Sequence, residues 1–166
     1  GVHIVGVGLE PLEEDDRCWM YFPQSNCPFY RVTNFHNYSP NNVAKPGQQR
    51  ALMAEVSFSG HKPEDHSKTP NEVLRGLVNC DFMPTAQQTV TRWDRVEEYG
   101  YPIPCLDRDH ALGVIQPFLQ GMDIWSRGRF GGWQYEVGNM DHSVMQGVEW
   151  VELMLESKPE TTYKLK

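Results

Sequence analysis

Residues 125–143 contain the densest group of side chains that could bind a charged ligand. Arg127 and Arg129 flank a glycine, and the aromatic residues Trp133 and Tyr135 follow. An arginine guanidinium can donate two parallel hydrogen bonds to phosphate or carboxylate oxygens. Glycines allow the backbone to approach a ligand closely. The segment therefore predicts the wall of a pocket for a phosphorylated ligand.

The same segment ends where a helix is predicted to begin. Asn139 and Ser143 lie at that start, where free backbone amide groups attract anions. Turn and cap chemistry explains these two polar residues equally well, so both interpretations stay open. Just before them, Tyr135 and Glu136 are candidate catalytic groups, because neighbouring aromatic residues can raise the pKa of the Glu136 carboxyl.

Three other segments extend the pattern along the chain: Cys18–Pro23, Asn26–Arg31 and Tyr99–Pro104. Together with residues 125–143 they resemble, in order and with few gaps, the C-terminal third of eukaryotic-type UDP-galactopyranose mutases. The resemblance runs from about Val2 to about Val151. Members of that family are flavoenzymes that interconvert the pyranose and furanose forms of UDP-galactose.

The resemblance implies two groups of binding residues. The first group holds the UDP-sugar, chiefly its diphosphate, and consists of Tyr21, Arg31, Tyr101 and Tyr135. The second group lies on the flavin side and consists of Arg129, Asn139 and Ser143. Within the first group Arg31 is also a candidate catalytic residue. For the three tyrosines, packing as core aromatics with one solvated end is the alternative.

The flavin-binding fingerprint of that family is missing from this sequence. Its pattern is G-x-G-x-x-G at the start of a helix, whereas here Gly6-Val7-Gly8 supplies two glycines and Pro11 stands at the third position. A nucleotide-binding unit needs that helix, because the pyrophosphate rests on its N-terminus. We therefore predict that the Gly-Val-Gly run is a strand end and turn. No cofactor is expected for the isolated chain, and FAD is expected only with an N-terminal nucleotide-binding partner.

Two departures from the family pattern bear on the ligand. Met140 follows Asn139 where relatives usually carry glutamine, and a thioether cannot replace the hydrogen bonds of an amide. Gln134 stands where a basic residue is common, which lowers the positive potential near a diphosphate. Both changes favour a less charged, more apolar ligand.

Alternating and β-rich runs predict the strands, and helical spacing predicts three helices. Strands are predicted at Val2–Val7, Trp19–Phe22, Tyr30–Phe35, Ala51–Phe58, within Gln87–Tyr99 and at Ile124–Phe130. The first helix begins with the capping box Thr69-Pro70-Asn71-Glu72 and has Val73, Leu74, Leu77 and Val78 on its apolar face. The second, capped by Asp107 or Asp109 and ended by Gly121, presents Leu112, Ile115, Phe118 and Leu119. The third runs from about Asp141 to Leu155 and presents Val144, Val148, Val151 and Leu155.

These elements predict an α+β fold in a single domain over residues 1–166. A mostly antiparallel sheet carries about three helices packed on one side, as in the substrate-binding portion of the mutases it resembles. A sheet edge left uncovered in such a fold could support a homodimer.

The charge and residue composition limit the classes of binding partner. The 166 residues include 15 Lys and Arg and 22 Asp and Glu, giving a formal charge of −7, which disfavours nucleic acid and anionic membranes. No apolar run is long enough to span a bilayer and no secretory signal is recognised, so a cytoplasmic location is expected. The four cysteines lack the spacing of a metal site, so no metal is expected. We expect the cysteines to be reduced thiols, and we expect Cys105 to be a small buried residue.

Three functions are compatible with these patterns. The first is a stand-alone, shortened mutase-like protein, free of flavin, that acts on a small-molecule substrate as an isomerase, cyclase or lyase in an aromatic-lined cleft. The second is the C-terminal part of a FAD-dependent UDP-galactopyranose mutase-like isomerase that needs an N-terminal nucleotide-binding partner. The third is a non-catalytic ligand-binding module. The departures at Met140 and Gln134, together with the capped helices, favour the first.

Overall fold

A computed structural model describes residues 1–10 and 15–164 of the chain. The chain divides into two compact units, Gly1–Gly100 and Tyr101–Lys166. The prediction of a single domain stays a prediction, because two compact units can belong to one domain. Among the described residues, none of the helices combines the length and the apolar composition that a membrane span requires.

The first unit is built on a five-stranded sheet with the order β2-β3-β4-β1-β5, in which all neighbouring strands are antiparallel. The strands are β1 (Val2–Leu9), β2 (Trp19–Tyr21), β3 (Arg31–Asn34), β4 (Arg50–Ser57) and β5 (Thr89–Glu97). The antiparallel sheet predicted from the alternating runs is thus confirmed, and its edges are β2 and β5.

Side chains alternate between the two faces of this sheet, as the pleat requires. On β1 the buried residues Val5, Val7 and Leu9 point to one face, and the first two lie opposite Ala54 and Leu52 of β4. These residues form the core of the unit. Because the hydrophobic side chains occupy every second position, the register of the two strands is fixed.

Helix α1 (Thr69–Asn79) packs on this core through its predicted apolar face, with Val73 and Leu77 fully buried. The predicted capping box does not form. Thr69 lies inside the helix, and its hydroxyl donates to the carbonyl of Asp65 at 3.1 Å. The backbone amide of Lys68 also donates to this carbonyl, so the turn that begins at Asp65 sets the helix start.

The run Gly6-Val7-Gly8 lies in the interior of β1 and not at a strand end and turn, so that prediction is wrong. Gly6 pairs with Met53 of β4 and with Trp93 of β5. On the face of the sheet opposite the core, a Cβ on Gly6 would contact the Trp93 ring at 3.6 Å, and a Cβ on Gly8 would lie 2.5 Å from the Thr91 side chain, so the glycines make room for these two side chains of β5. Pro11, which stands at the third glycine position of the flavin fingerprint, lies outside the described residues.

The close packing of α1 on the β2–β3 connection leads to a stability prediction. A Cβ on Gly76 would lie 2.9 Å from atoms of Cys27, Pro28 and Phe29. Gly76→Ala should therefore destabilise the chain by about 1–2 kcal/mol in urea unfolding, because overpacking outweighs the helix-propensity gain. Gly113→Ala is the matched control in a helix, since nothing lies within 4 Å of its Cβ. Equal effects of the two substitutions would contradict this packing.

The four cysteines are free thiols in the structure. Cys18 and Cys105 are exposed, so the prediction that Cys105 is buried is wrong; it lies in an irregular stretch before the next helix. Burial raises the pKa of the Cys27 thiol to about 12, and a contact with Cys80 adds to the shift.

The raised pKa of Cys27 predicts low reactivity, because the thiolate and not the thiol is the nucleophile. At pH 8, iodoacetamide should alkylate Cys27 slower than Cys18 by about tenfold or more, as followed by peptide mass spectrometry. In the urea-unfolded chain the two rates should become similar. Similar rates in the folded chain would show that Cys27 is not protected.

The second unit contains three α-helices within its described residues, α2 (Arg108–Gln120), α3 (Gly128–Gly131) and α4 (Met140–Glu156). The predicted limits of the second helix are confirmed, with Asp107 before its first residue and Gly121 after its last. A short 3-10 helix, Thr162–Lys164, follows α4.

The strand predicted at Ile124–Phe130 is wrong. Residues 124–127 are irregular, and the single turn of α3 follows. Gly128 has a φ of +80°, which turns the chain away from an extended path, and its amide donates to the side chain of Gln146 at 2.8 Å. Because a side-chain amide takes this backbone donor, the segment does not pair as a strand.

The long helices of the second unit bury glutamines, while much of each predicted apolar face is exposed. Gln116 of α2 and Gln146 of α4 are 7% and 2% exposed. On α4, in contrast, Val144 and Leu155 are 63% and 79% exposed, and on α2 Phe118 is 67% exposed. The helical spacing thus located the helices correctly, but the residues that α2 and α4 bury are polar.

Candidate functional site

Arg129 is the centre of an aromatic and polar cluster in the second unit. Its guanidinium carbon lies 5.1 Å from the ring centre of Tyr101 and 5.9 Å from that of Tyr135. The two tyrosine rings contact each other edge to face at 5.8 Å. Nε of Arg129 donates to the carbonyl of Gly138 at 2.7 Å, and Nη2 donates to Oδ1 of Asn139 at 3.3 Å. We call these five residues the Arg129 cluster.

The backbone around Arg129 depends on glycine at the point of closest approach. A Cβ on Gly138 would lie 2.6 Å from the carbonyl oxygen of Gln134 and 2.8 Å from Cγ of Arg129. Any side chain there would push the arginine away from its carbonyl partner. Gly138 therefore fixes where the guanidinium sits relative to the two tyrosine rings.

Two buried glutamines, one on α2 and one on α4, position residues 128–138, which we call the Arg129 segment. Gln146 of α4 accepts from the amide of Gly128 at 2.8 Å and donates to the carbonyl of Val137 at 3.2 Å. Gln116 of α2 donates to the carbonyl of Gly131 at 2.8 Å. The Arg129 segment is thus anchored on both sides by buried amide groups, which favour a single backbone conformation. Sequence reasoning missed both glutamines, since a lone polar residue at a helical position gives no periodic signal.

The predicted helix start is confirmed at Asn139, which is the N-cap of α4. Ser143 lies in the first turn, and its amide donates to the carbonyl of Asn139 at 2.9 Å. A Cβ on Gly128 would lie 3.8 Å from Oγ of Ser143, so this hydroxyl is close to the Arg129 segment. The structure thus brings together the three residues that the resemblance places on the flavin side: Arg129, Asn139 and Ser143.

Charge balance separates Arg129 from other arginines of the chain. Arg127 forms a bidentate ion pair with Glu160, at 2.6 and 2.7 Å, in which both side chains are less than a tenth exposed. Arg108 pairs with Asp109 and Glu136. Within the described part of the chain, Arg129 has no carboxylate partner. A half-buried guanidinium without a counter-ion can bind an anionic ligand.

Glu136 differs from its prediction in the direction of its pKa shift. Its own backbone amide and the guanidinium of Arg108 lower the pKa of the carboxyl, whereas the sequence predicts that neighbouring aromatic residues raise it. The side chain points to solvent and is 49% exposed, so the aromatic residues do not desolvate it. At neutral pH Glu136 is therefore a carboxylate, which can accept a proton but not donate one.

Arg31 lies in the first unit, where Glu55 neutralises its charge. The guanidinium donates to both carboxylate oxygens of Glu55, with distances of 2.6 to 3.1 Å, and the Tyr30 hydroxyl donates to the same carboxylate at 2.5 Å. The rings of Trp19 and Tyr21 lie 5.6 and 5.9 Å from the guanidinium carbon. An acidic partner and stacked aromatic rings therefore hold Arg31 in one orientation.

The candidate site residues fall into both units. Tyr21 and Arg31 contact each other in the first unit, while the second unit holds the other members: Tyr101, Arg129, Tyr135, Glu136, Asn139 and Ser143. The structure thus joins Tyr101 and Tyr135, expected on the substrate side, with Arg129 and Asn139, expected on the flavin side. Over residues 1–10 and 15–164, no three His, Cys, Asp or Glu side chains are grouped closely enough to hold a metal ion.

Glu149 of α4 fixes the segment that follows this helix. Its carboxylate accepts from the amides and hydroxyls of Thr161 and Thr162, at 2.6 to 3.0 Å. The next residue, Tyr163, stacks on Arg127, with 4.1 Å from the guanidinium carbon to the ring centre. Together with the Arg127–Glu160 ion pair, these contacts brace the chain immediately before the Arg129 segment.

This brace has a defined pH dependence. Burial opposes ionisation of Glu149, but hydrogen bonds from Thr161 and Thr162 outweigh it and lower its pKa to about 2, from an ordinary 4.5. A lowered folded-state pKa stabilises the chain above pH 4.5, and this contribution is lost as the pH falls towards 2. In NMR titrations, the amides of Thr161 and Thr162 should shift with a midpoint near 2, and Glu149→Gln should remove this transition. A midpoint near 4.5 would contradict the hydrogen-bonded carboxylate.

Comparison with known proteins finds a relative among solved structures. No model of a known protein family matches the sequence. Among solved structures, the chain is similar to one described as the crystal structure of reduced UDP-galactopyranose mutase, with 40% sequence identity and a TM-score of 0.86. The match covers 98% of this chain and 35% of that protein. The chain therefore corresponds to about a third of the mutase, and the predicted resemblance and α+β fold are confirmed.

Proposed function

We propose that this chain is the substrate-binding portion of a UDP-galactopyranose mutase-like isomerase, and that the Arg129 cluster binds the diphosphate of the sugar nucleotide. A nucleotide-binding portion, whether in the same chain or in another, would complete the enzyme. The proposal starts from the similarity to the reduced mutase over 98% of this chain. The observation that carries it is the half-buried guanidinium of Arg129, which is held in place and has no acidic partner in the described part of the chain.

The chemistry of the cluster suits a diphosphate. The guanidinium supplies positive charge and further N–H donors, while the bond from Nε to Gly138 limits its movement. Tyr135 is about half exposed beside it, so its hydroxyl can donate to a second phosphate oxygen. Because the arginine and the ring are positioned before the ligand arrives, little conformational entropy is lost on binding.

The exposed apolar side chains of α4 form a surface that could contact a partner. Val144, Val151 and Leu155 are 63%, 44% and 79% exposed on a helix whose buried residue is Gln146. A helix that faces solvent on all sides usually carries polar residues there. Exposed apolar surface of this kind is typical of a protein–protein or domain interface. We expect the nucleotide-binding portion to cover it.

The flavin-side residues fit the polar edge of a cofactor. Arg129, Asn139 and Ser143 lie together at the N-terminus of α4, and the helix dipole there favours negative charge. If FAD is bound, Asn139 and Ser143 would hold its polar edge next to the diphosphate on Arg129, and the reduced flavin would supply the chemistry of sugar-ring interconversion. Glu136, ionised at neutral pH, can accept a proton from a ligand hydroxyl near Tyr135. The catalytic roles expected for Tyr135, Glu136 and Arg31 stay predictions.

One observation favours a second function. Met140, at the first position of α4, is 84% exposed and places a thioether where a hydrogen-bonding amide was expected. Loss of that amide favours a flavin-free protein that acts on a less charged small molecule as an isomerase, cyclase or lyase. In this second function the aromatic rings of Tyr101 and Tyr135 would bind an uncharged ligand by stacking.

The diphosphate proposal predicts how nucleotide affinity depends on charge. In calorimetric titrations of the full chain, UDP should bind about tenfold or more tightly than uridine, because only UDP can accept charge-assisted hydrogen bonds from Arg129. Arg129→Ala should weaken UDP binding by about tenfold or more while leaving uridine binding little changed.

The matched control is Arg75→Ala, which removes an arginine that is 71% exposed on α1. It should leave UDP affinity unchanged, and circular dichroism should show that both variants are folded. UDP binding no tighter than uridine binding, or equal effects of the two substitutions, would contradict the proposal. Preferential binding of uncharged aromatic compounds at Tyr101 and Tyr135 would favour the flavin-free function instead.

A further inference from the structure

A concave site lies in the second unit, between α2 and residues 126–133. Ala111, Ile115 and Leu119 of α2 form one wall, and the rings of Phe130 and Trp133 form the opposite wall. The two rings contact each other edge to face at 6.0 Å. The cavity has a volume of about 380 Å³, within the range of small-molecule sites. We call it the α2 groove.

Gln116 lines this apolar groove, and one atom of its side-chain amide has no hydrogen-bond partner. Gln116 is 7% exposed, and its Nε2 donates to the carbonyl of Gly131. Its Oε1 is buried and accepts no hydrogen bond. The side-chain amide cannot be turned round, because Oε1 would then face the Gly131 carbonyl and two acceptors would lie against each other. A buried acceptor without a donor is unfavourable, and a ligand that supplies one hydrogen-bond donor would relieve it.

The backbone of the opposite wall is held in an uncommon conformation. Trp133 has a φ of +48°, in the left-handed region that bulky residues rarely adopt. Its indole Nε1 donates to the carbonyl of Ile103 at 3.2 Å, which fixes the ring. Strained residues of this kind cluster at ligand sites, where the strain keeps a side chain in position.

The charges at the rim of the groove exclude an anionic ligand. Arg108 lines the rim, but its guanidinium donates to Asp109 at 3.0 Å and to Glu136 at 3.2 Å. Asp107, also on the rim, adds a further negative charge. The α2 groove thus differs from the Arg129 cluster, whose guanidinium has no carboxylate partner among the described residues.

We propose that the α2 groove binds a neutral planar aromatic ring that carries one N–H donor, with the ring against Trp133 and Phe130 and the N–H on Oε1 of Gln116. Apolar walls supply the binding free energy, and the single acceptor supplies orientation. The rim disfavours phosphates and carboxylates. This site is separate from the diphosphate site of the proposed function and does not depend on it.

The ligand probes test the hydrogen bond without disturbing the protein. Indole and 1-methylindole have similar rings, but only indole carries an N–H. In ligand-observed NMR titrations of the full chain, 1-methylindole should bind about tenfold more weakly, the fold-change of a lost hydrogen bond of about 1.4 kcal/mol. Equal affinities, or no indole binding up to its solubility limit, would overturn the proposal.

Two variants on one helix test the location. Ala111→Trp fills the groove, whereas Val114→Trp places the same side chain on α2 at a position that is 61% exposed and does not line it. Indole binding should be lost in the first variant and retained in the second. If both variants bind indole as the unsubstituted chain does, the ligand lies elsewhere.

The chain also carries its own reporter of occupancy. Cys105 lines the groove and is exposed, and Cys18 is an exposed cysteine in the first unit. With indole at a concentration equal to its Kd, alkylation of Cys105 by iodoacetamide should slow to about half, because half of the sites are occupied. Alkylation of Cys18 should not change. If indole binds but the alkylation rate of Cys105 does not change, indole does not bind in the groove.

Discussion

Buried hydrogen bonds from two glutamines hold the backbone around Arg129 in the second unit. Gln146 joins α4 to the amide of Gly128 and the carbonyl of Val137, and Gln116 joins α2 to the carbonyl of Gly131. Apolar contacts are non-directional, but an amide fixes both distance and orientation. A buried amide that lost its partner would carry the full desolvation penalty, so alternative positions of the segment are strongly disfavoured. The glutamines thereby define the place of Arg129.

The arginines of the chain have different roles. Arg127 and Arg31 are each neutralised by a carboxylate, from Glu160 and Glu55, and they hold structure together. Arg129 instead donates to a backbone carbonyl and stacks beside tyrosine rings. A backbone carbonyl restrains a guanidinium without cancelling its charge. The same fold can therefore keep one guanidinium available for an anionic ligand, and this supports the diphosphate proposal.

The sequence predicted the periodic parts of the fold well and the aperiodic parts poorly. Alternation located the central strands, because a buried face repeats at every second residue, and helical spacing located α1 and α4. The strand expected at Ile124–Phe130 failed, since its β-rich composition does not reveal that Gln146 takes the amide of Gly128. The family resemblance identified the residues of the Arg129 cluster. It could not predict that Arg129 stacks beside the tyrosines, because that contact depends on the close approach at Gly138.

The most direct test of the account is the Nε–H signal of Arg129 in NMR spectra of the labelled chain. The bond to Gly138, at 2.7 Å, should slow exchange of this proton with water and make its signal visible. We predict that UDP shifts the signal to saturation, with the same Kd that calorimetry gives, and that uridine leaves it in place. A signal that does not move while UDP binds would show that the diphosphate lies elsewhere, and the Arg129 cluster would then be structural.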